Sequence, residues 1–174
     1  YFRSIADRAE LATVIGARAF VSIHHNGGVH PPQQLGPGTE VYHELADPES
    51  QRLAGVLWED VVAGLERFDI DWVASKYRGA VARADHDGDD FYGVLRRAES
   101  VPAVILESAY ITGPAEAELV RTDEFRDAQA AAIANGIERF LRSSDGGSGF
   151  LDSFTEGGSA RRFGMAECED PPLE

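Results

Sequence analysis

Val101-Pro102-Ala103-Val104-Ile105-Leu106-Glu107-Ser108 is an apolar run interrupted only near its end, where a carboxylate arrives. Its length and its valine and isoleucine content predict a strand buried on both faces. Residues 19–24, Ala-Phe-Val-Ser-Ile-His, make a second such run, and it closes on His24. Around these two strands the pattern changes to helical spacing. Residues 2–17 predict a helix, with Ile5, Ala9, Ala12 and Ile15 on one face. Asp47-Pro48 supplies an N-cap acceptor followed by a proline at the first helical position. The helix it starts is expected to run to about Phe68 and to bury Leu53, Leu57, Val61, Leu65 and Phe68. Gly113-Pro114 marks another helix start, and a last helix is expected from about Asp123 to Arg142, with Phe125, Ile133, Ile137, Phe140 and Leu141 as its apolar side. Gly38–Leu45 predicts a further strand. Residues 29–37, with three prolines and Gly36, predict an irregular loop. Residues 69–90 are polar and end in the charged stretch Asp85–Asp90, which predicts a solvated surface loop.

Buried strands alternating with amphipathic helices predict an α/β domain of three layers, its sheet mixed, mostly parallel and flanked by helices. The chain of 174 residues suffices for one such domain. Composition changes after Ser143. Residues 1–143 are expected to form the domain, and 144–174, rich in Gly, Ser, Asp and Glu, a flexible tail.

Charge and cysteine content exclude some functions. A net charge of -14, with Lys76 the sole lysine, repels nucleic acid. The single cysteine, Cys168, forbids an internal disulfide and any zinc-finger spacing. No apolar run approaches the length of a membrane span. The chain opens at Tyr1 inside a predicted helix, so the N-terminus of the full protein is expected upstream.

Ligands in open α/β sheets bind beyond the carboxyl ends of the strands. Two buried strands here end in ionisable groups, His24 and Glu107. A buried carboxylate is costly unless a metal, a cation or water lies beside it. A histidine and a glutamate meeting at one sheet edge suit a metal-activated water with a carboxylate to move its proton. The same residues also allow a hydrogen-bonded histidine, and an ion pair of Glu107 with Arg96 or Arg97. Adjacent strand residues point to opposite faces, so only one of His24 and His25 aims easily at a site.

Ser22-Ile23-His24-His25-Asn26 resembles the Ser-Ile-His-x-Asn motif of the zinc-dependent N-acetylmuramoyl-L-alanine amidases. Gly38-Thr39-Glu40-Val41-Tyr42 resembles that family's Gly-x-Glu-x-Tyr strand. Arg78-Gly79 and Val94-Leu95-Arg96 resemble later landmarks, and Pro102–Glu107 resembles its Pro-Ala-x-Leu-x-Glu strand. The resemblance covers residues 1 to about 142. It implies a phosphorylase/hydrolase-like fold and a peptidoglycan hydrolase that cuts between N-acetylmuramic acid and L-alanine of the stem peptide. It implies His24 as a zinc (Zn2+) ligand, Glu107 as the catalytic carboxylate, and Asn26 and Arg78 as residues that hold substrate or order the site. Peptidoglycan lies outside the cytoplasm, so the full protein is expected to be exported to the cell envelope. Two other readings remain: an inactive wall-binding or regulatory homologue, and a zinc carboxypeptidase-like peptidase, for which the His-x-x-Glu ligand pair is lacking.

The family takes a further histidine and a glutamate as ligands from segments before residue 1. Within the chain, His30, His43 and His86 are the candidate substitutes, His30 first because its Pro-rich loop is expected near the site. A catalytic zinc site needs three protein ligands and a water. These 174 residues alone are therefore expected to bind zinc weakly and to hydrolyse little. Isothermal titration checks this, and tight one-to-one binding would contradict it.

Overall fold

The computed structural model describes residues 5–28, 32–33, 35–98 and 100–155. In chain order they form α1 (Ile5–Val14), β1 (Phe20–Asn26), β2 (Pro32–Gln33), β3 (Glu40–His43), α2 (Pro48–Leu65), β4 (Trp72–Val73), β5 (Gly79–Val81) and β6 (Arg83–Ala84). A 3-10 turn (Leu95–Arg97), β7 (Ala103–Tyr110), α3 (Pro114–Val120), α4 (Asp123–Arg142) and β8 (Phe154–Thr155) follow.

The main sheet has the order β1-β7-β3-β5. β1 runs parallel to β7 and β3 parallel to β5, while β3 and β7 are antiparallel. The sheet is therefore mixed, with two of its three pairings parallel. Alternation along the strands divides the core in two. Val41, Val104 and Leu106 pack with Leu53, Leu57, Val61 and Phe125 of α2 and α4. Tyr42, Ala103 and Ile105 pack on the opposite face with Ala9 of α1 and Leu95 of the 3-10 turn. Three layers result, as the sequence pattern predicts.

Helix ends follow local chemistry. The Asp47 side chain accepts from the backbone N–H groups of Glu49 and Ser50, and Thr122 caps α4 by accepting from Phe125 N. The first helix stops short of its predicted end. Gly16 takes φ +63°. Ala17 N then bonds Ala12 O, and Gly16 N bonds Thr13 O. This closing pattern satisfies the last carbonyls and leaves Ile15 outside the buried face, 68% exposed.

Two expectations need correction. Residues 69–90 hold three short strands, and one of them, β5, belongs to the main sheet. Runs of two or three residues are too brief to show a period. The chain after Ser143 also departs from its reading as a flexible tail. Ala80 N bonds Gly149 O, Leu151 N bonds Ala80 O, and Phe154 N bonds Ala82 O, so the chain runs along the β5–β6 edge as far as Thr155. Its glycines serve close approach. Gly147 has φ +69°, and a Cβ there would lie 2.4 Å from the backbone of Gly55 and Val56 in α2. The predicted boundary at 143 thus falls inside a packed unit. Residues 156–174 lie outside the described residues.

Glu116 of α3 ties the carboxyl end of β7 to β4. It is fully buried, and its two oxygens accept from Val73 N at 2.6 Å and Tyr110 N at 2.5 Å. Burial raises its pKa, and the two backbone bonds oppose that rise. Glu116→Ala leaves both N–H groups buried without an acceptor, which is expected to cost about 2 kcal/mol or more. Urea unfolding midpoints of the variant and the parent check this.

Candidate active site

Three ionisable groups share one face of the sheet because the register puts them there. His24 of β1 pairs with Glu107 of β7, and Glu40 of β3 pairs with the same Glu107 from the other side. Paired residues on neighbouring strands project to the same face. Beyond this row the register shifts, so that Asn26 pairs with Tyr110. Two residues advance on β1 and three on β7. The extra residue turns the Tyr110 side chain to the face of Glu107, as bulges beside functional sites often do.

Glu40 is 1% exposed and is the hub of the row. It accepts from Asn26 Nδ2 at 3.0 Å, Tyr42 OH at 2.6 Å and Tyr110 OH at 2.5 Å, and also from Ser75 Oγ. Four neutral donors make a buried carboxylate tolerable. Burial and the Glu40 bond push the hydroxyl pKa values of Tyr42 and Tyr110 up, so both stay protonated donors.

Glu107 differs. Its Oε2 is buried and has no hydrogen-bond partner among the described residues. Burial first, and then the charge of Glu40, push its pKa up to about 7. Arg96 turns instead to the carbonyls of Asp90 and Phe91, and Arg97 to that of Gly93. The ion pair that the sequence allowed for Glu107 is therefore not made with either. Glu40, Glu107, Asn26, Tyr77, Arg83 and Tyr110 line one cleft of about 420 Å³.

His24 stands beside the cleft on β1 and is exposed, with Nε2 lying 2.8 Å from Ser22 Oγ. His25 points to the other face, where its Nε2 meets Gln129 Nε2 at 3.1 Å and its ring lies against Phe125. Burial, then the neighbouring His24, lower its pKa, and the Gln129 bond opposes them. Only His24 shares the face of Glu107, as strand alternation predicts. Asn26 reaches the cleft through its bond to Glu40. Arg78 does not join the other predicted site residues. Its Nη2 donates to Leu35 O at 3.1 Å and pins the loop before β3. Of the substitute histidines, His43 is buried at the far end of β3 with Nδ1 on Glu44 O, and His86 is exposed beside Asp87. His30 lies outside the described residues.

Glu40, Ser75, Arg83 and Tyr110 join the cleft without having been expected there from the sequence. For Glu40 a signal existed, since a carboxylate on an otherwise buried strand repeats the argument made for Glu107. For Ser75 and Arg83 none did, because both sit in a segment without visible period.

A zinc ion suits part of this donor set. His24 would supply one imidazole ligand, and the unpartnered oxygen of Glu107 sits in register beside it, where it would face a water on such an ion and not the ion itself.

Fold and site together define a layered α/β domain in which ionisable groups gather toward the carboxyl ends of two parallel strands. A family model described as N-acetylmuramoyl-L-alanine amidase matches residues 1–139. The N-acetylmuramoyl-L-alanine amidase AmiA of Salmonella typhimurium is 28% identical over 173 residues, covering 83% of this chain and 59% of that protein. Among solved structures, an N-acetylmuramoyl-L-alanine amidase from Clostridium difficile 630 superposes with a TM-score of 0.63 at 26% identity, covering 82% of this chain and 68% of that one. AmiC2 of Nostoc punctiforme gives 0.62 at 28% identity, again covering 82% and 68%. The chain belongs to the N-acetylmuramoyl-L-alanine amidase family and is similar to its catalytic domains. It spans about 59% of the length of the curated relatives it matches.

The raised Glu107 pKa carries a stability consequence. Against an unfolded value near 4.5, a folded value of about 7 means that folding favours the protonated form. That contribution is complete below the unfolded value and is lost as pH rises through the folded one. Glu107→Gln cannot ionise. Without added metal, the melting temperature of the variant minus that of the parent is expected to grow between pH 4.5 and pH 8. A difference that stays flat across this range would contradict the assignment.

Proposed function

We propose that this domain hydrolyses the amide bond between the lactyl group of N-acetylmuramic acid and L-alanine of the peptidoglycan stem peptide. The observation that carries the reading is the register of His24 with Glu107 in the carboxyl-terminal halves of two parallel strands, with a Glu107 oxygen buried and unpartnered among the described residues. Membership in the amidase family supports it.

His24 would be one ligand of a zinc ion, which when bound polarises the amide carbonyl and lowers the pKa of a coordinated water. Glu107 would take the attacking water's proton at its unpartnered oxygen and pass it to the leaving amine of L-alanine. A carboxylate with a pKa of about 7 suits both halves of this transfer near neutral pH. Glu40 holds no free acceptor for the substrate. Its part is to fix Asn26 and Tyr110 around Glu107 and to oppose ionisation of that group. Peptidoglycan lies outside the cytoplasm, so the whole protein would act in the cell envelope. No helix among the described residues is long and apolar enough to cross a membrane.

Digestion of purified peptidoglycan by the full-length protein with zinc tests the proposal. Mass spectrometry of the soluble products is expected to show stem peptides beginning with L-alanine. Glu107→Ala should lower their yield by at least about 100-fold. Release of single amino acids from peptide C-termini would make the protein a carboxypeptidase instead. Absence of any product would favour a wall-binding role.

A further inference from the structure

The cleft that holds two carboxylates also holds a guanidinium. Arg83 of β6 lines it together with Glu107, Glu40 and Asn26. In a chain of net charge -14, two cations, Arg83 and Lys76, line this one cleft. Aromatic rings fix the guanidinium in position. Its central carbon lies 3.6 Å from the ring centroid of Phe91, 5.8 Å from that of Phe154 and 5.9 Å from that of Tyr92. A planar guanidinium held against rings is pre-organised to grip a carboxylate through two parallel N–H bonds.

One of these rings comes from outside the family match. The match ends at residue 139, whereas Phe154 belongs to the segment that returns along the sheet edge. Phe154 pairs in register with Arg83 itself. Its ring stacks on Tyr77, another cleft residue, at 3.6 Å between centroids and 10° between planes. The segment is itself anchored, since Asp145 pairs with Arg139 of α4 at 2.7 Å and Phe150 bridges Ala80 of β5.

Resting on the amidase reading above, we propose that Arg83 recognises a carboxylate of the stem peptide, with Phe154 as the positioning residue that holds it. A peptide bearing a free carboxylate close to its L-alanine gains a charge-assisted pair with Arg83. The amidated form of the same peptide offers a neutral carbonyl and loses it. The cleft therefore discriminates between acid and amide forms of one substrate, and a segment beyond the shared domain sets how well it does so.

Two substrates are compared on the full-length protein with zinc: N-acetylmuramyl-L-alanyl-D-glutamate γ-methylamide, whose α-carboxylate is the one free carboxylate of the peptide, and the same compound with that α-carboxyl converted to the amide. The parent is expected to favour the acid by about tenfold or more in kcat/KM, a ratio typical of one charge-assisted hydrogen bond. Arg83→Gln should remove the preference by raising KM for the acid, with kcat within about twofold. Phe154→Ala should lose most of the preference and Phe154→Tyr should keep it. If Arg83→Gln does not fold, Arg83→Lys carries the test, since it keeps the charge without the paired N–H geometry and should lower the preference severalfold. Equal cleavage of acid and amide by the parent would overturn the proposal, as would an Arg83 variant that slows both alike. If the parent cleaves neither substrate while also releasing no stem peptides from peptidoglycan, the amidase reading itself fails.

Discussion

The antiparallel pairing of β3 with β7 sets Glu40 directly opposite Glu107, and the site is organised around the cost of that juxtaposition. Two carboxylates on one face of a buried sheet cannot both be satisfied by solvent. The fold resolves the conflict unequally. Glu40 receives Asn26, Tyr42, Ser75 and Tyr110, while Glu107 keeps one oxygen without a partner. The first carboxylate is structural and the second is left available for chemistry. A bulge in β7 is part of this division, because without it Tyr110 would face the α2–α4 layer and Glu40 would lose a donor.

Holding strands in that register requires the helical layers to be close and fixed. α2 and α4 approach through small residues. A Cβ on Gly136 would lie 2.9 Å from Leu57, and one on Gly64 would lie 2.7 Å from Ala132. Arg139 then joins α2 to α4 through Glu59 at 2.5 Å and Asp60 at 3.0 Å, and reaches Asp145 in the returning segment. The three carboxylates push the Arg139 pKa further up. The same contact that stabilises the helical layer thus starts the segment that ends at Arg83, which links packing far from the cleft to the shape of its wall.

What was legible in the sequence follows from burial. β7 announces itself because a strand covered on both faces needs a long apolar run, and within that run Glu107 has no packing reason to be present. β1 carries a similar run but lies at the sheet edge among the described residues, with Ile23 and His24 exposed, so its expected burial is not met. The meeting of His24 and Glu107 on one face follows once the two strands are neighbours. The turn of His25 away from the face of Glu107 was equally readable from alternation. β5 and β6 were not readable, since two or three residues cannot display a period and their place is fixed by partners distant in sequence. The segment after Ser143 misled for a related reason. Glycine content suggests disorder when the cause is steric, and here Gly147 is needed because the backbone of α2 lies against it. Arg78 carried a family landmark, but its side chain serves the loop at Leu35. Landmarks locate a segment and leave the direction of each side chain to the packing around it.

The division of labour between the two carboxylates is the centre of this account, and the titration of Glu107 measures it directly. Carboxyl carbon-13 chemical shifts, followed against pH in the metal-free protein and assigned with Glu107→Gln, report its ionisation. The account predicts a midpoint near 7 in the parent. In Glu40→Gln it predicts a lower midpoint that still stays above the solvent value, because burial is the larger cause and the charge of Glu40 the smaller. A parent midpoint at the ordinary glutamate value, or one that Glu40→Gln leaves unmoved, would contradict it.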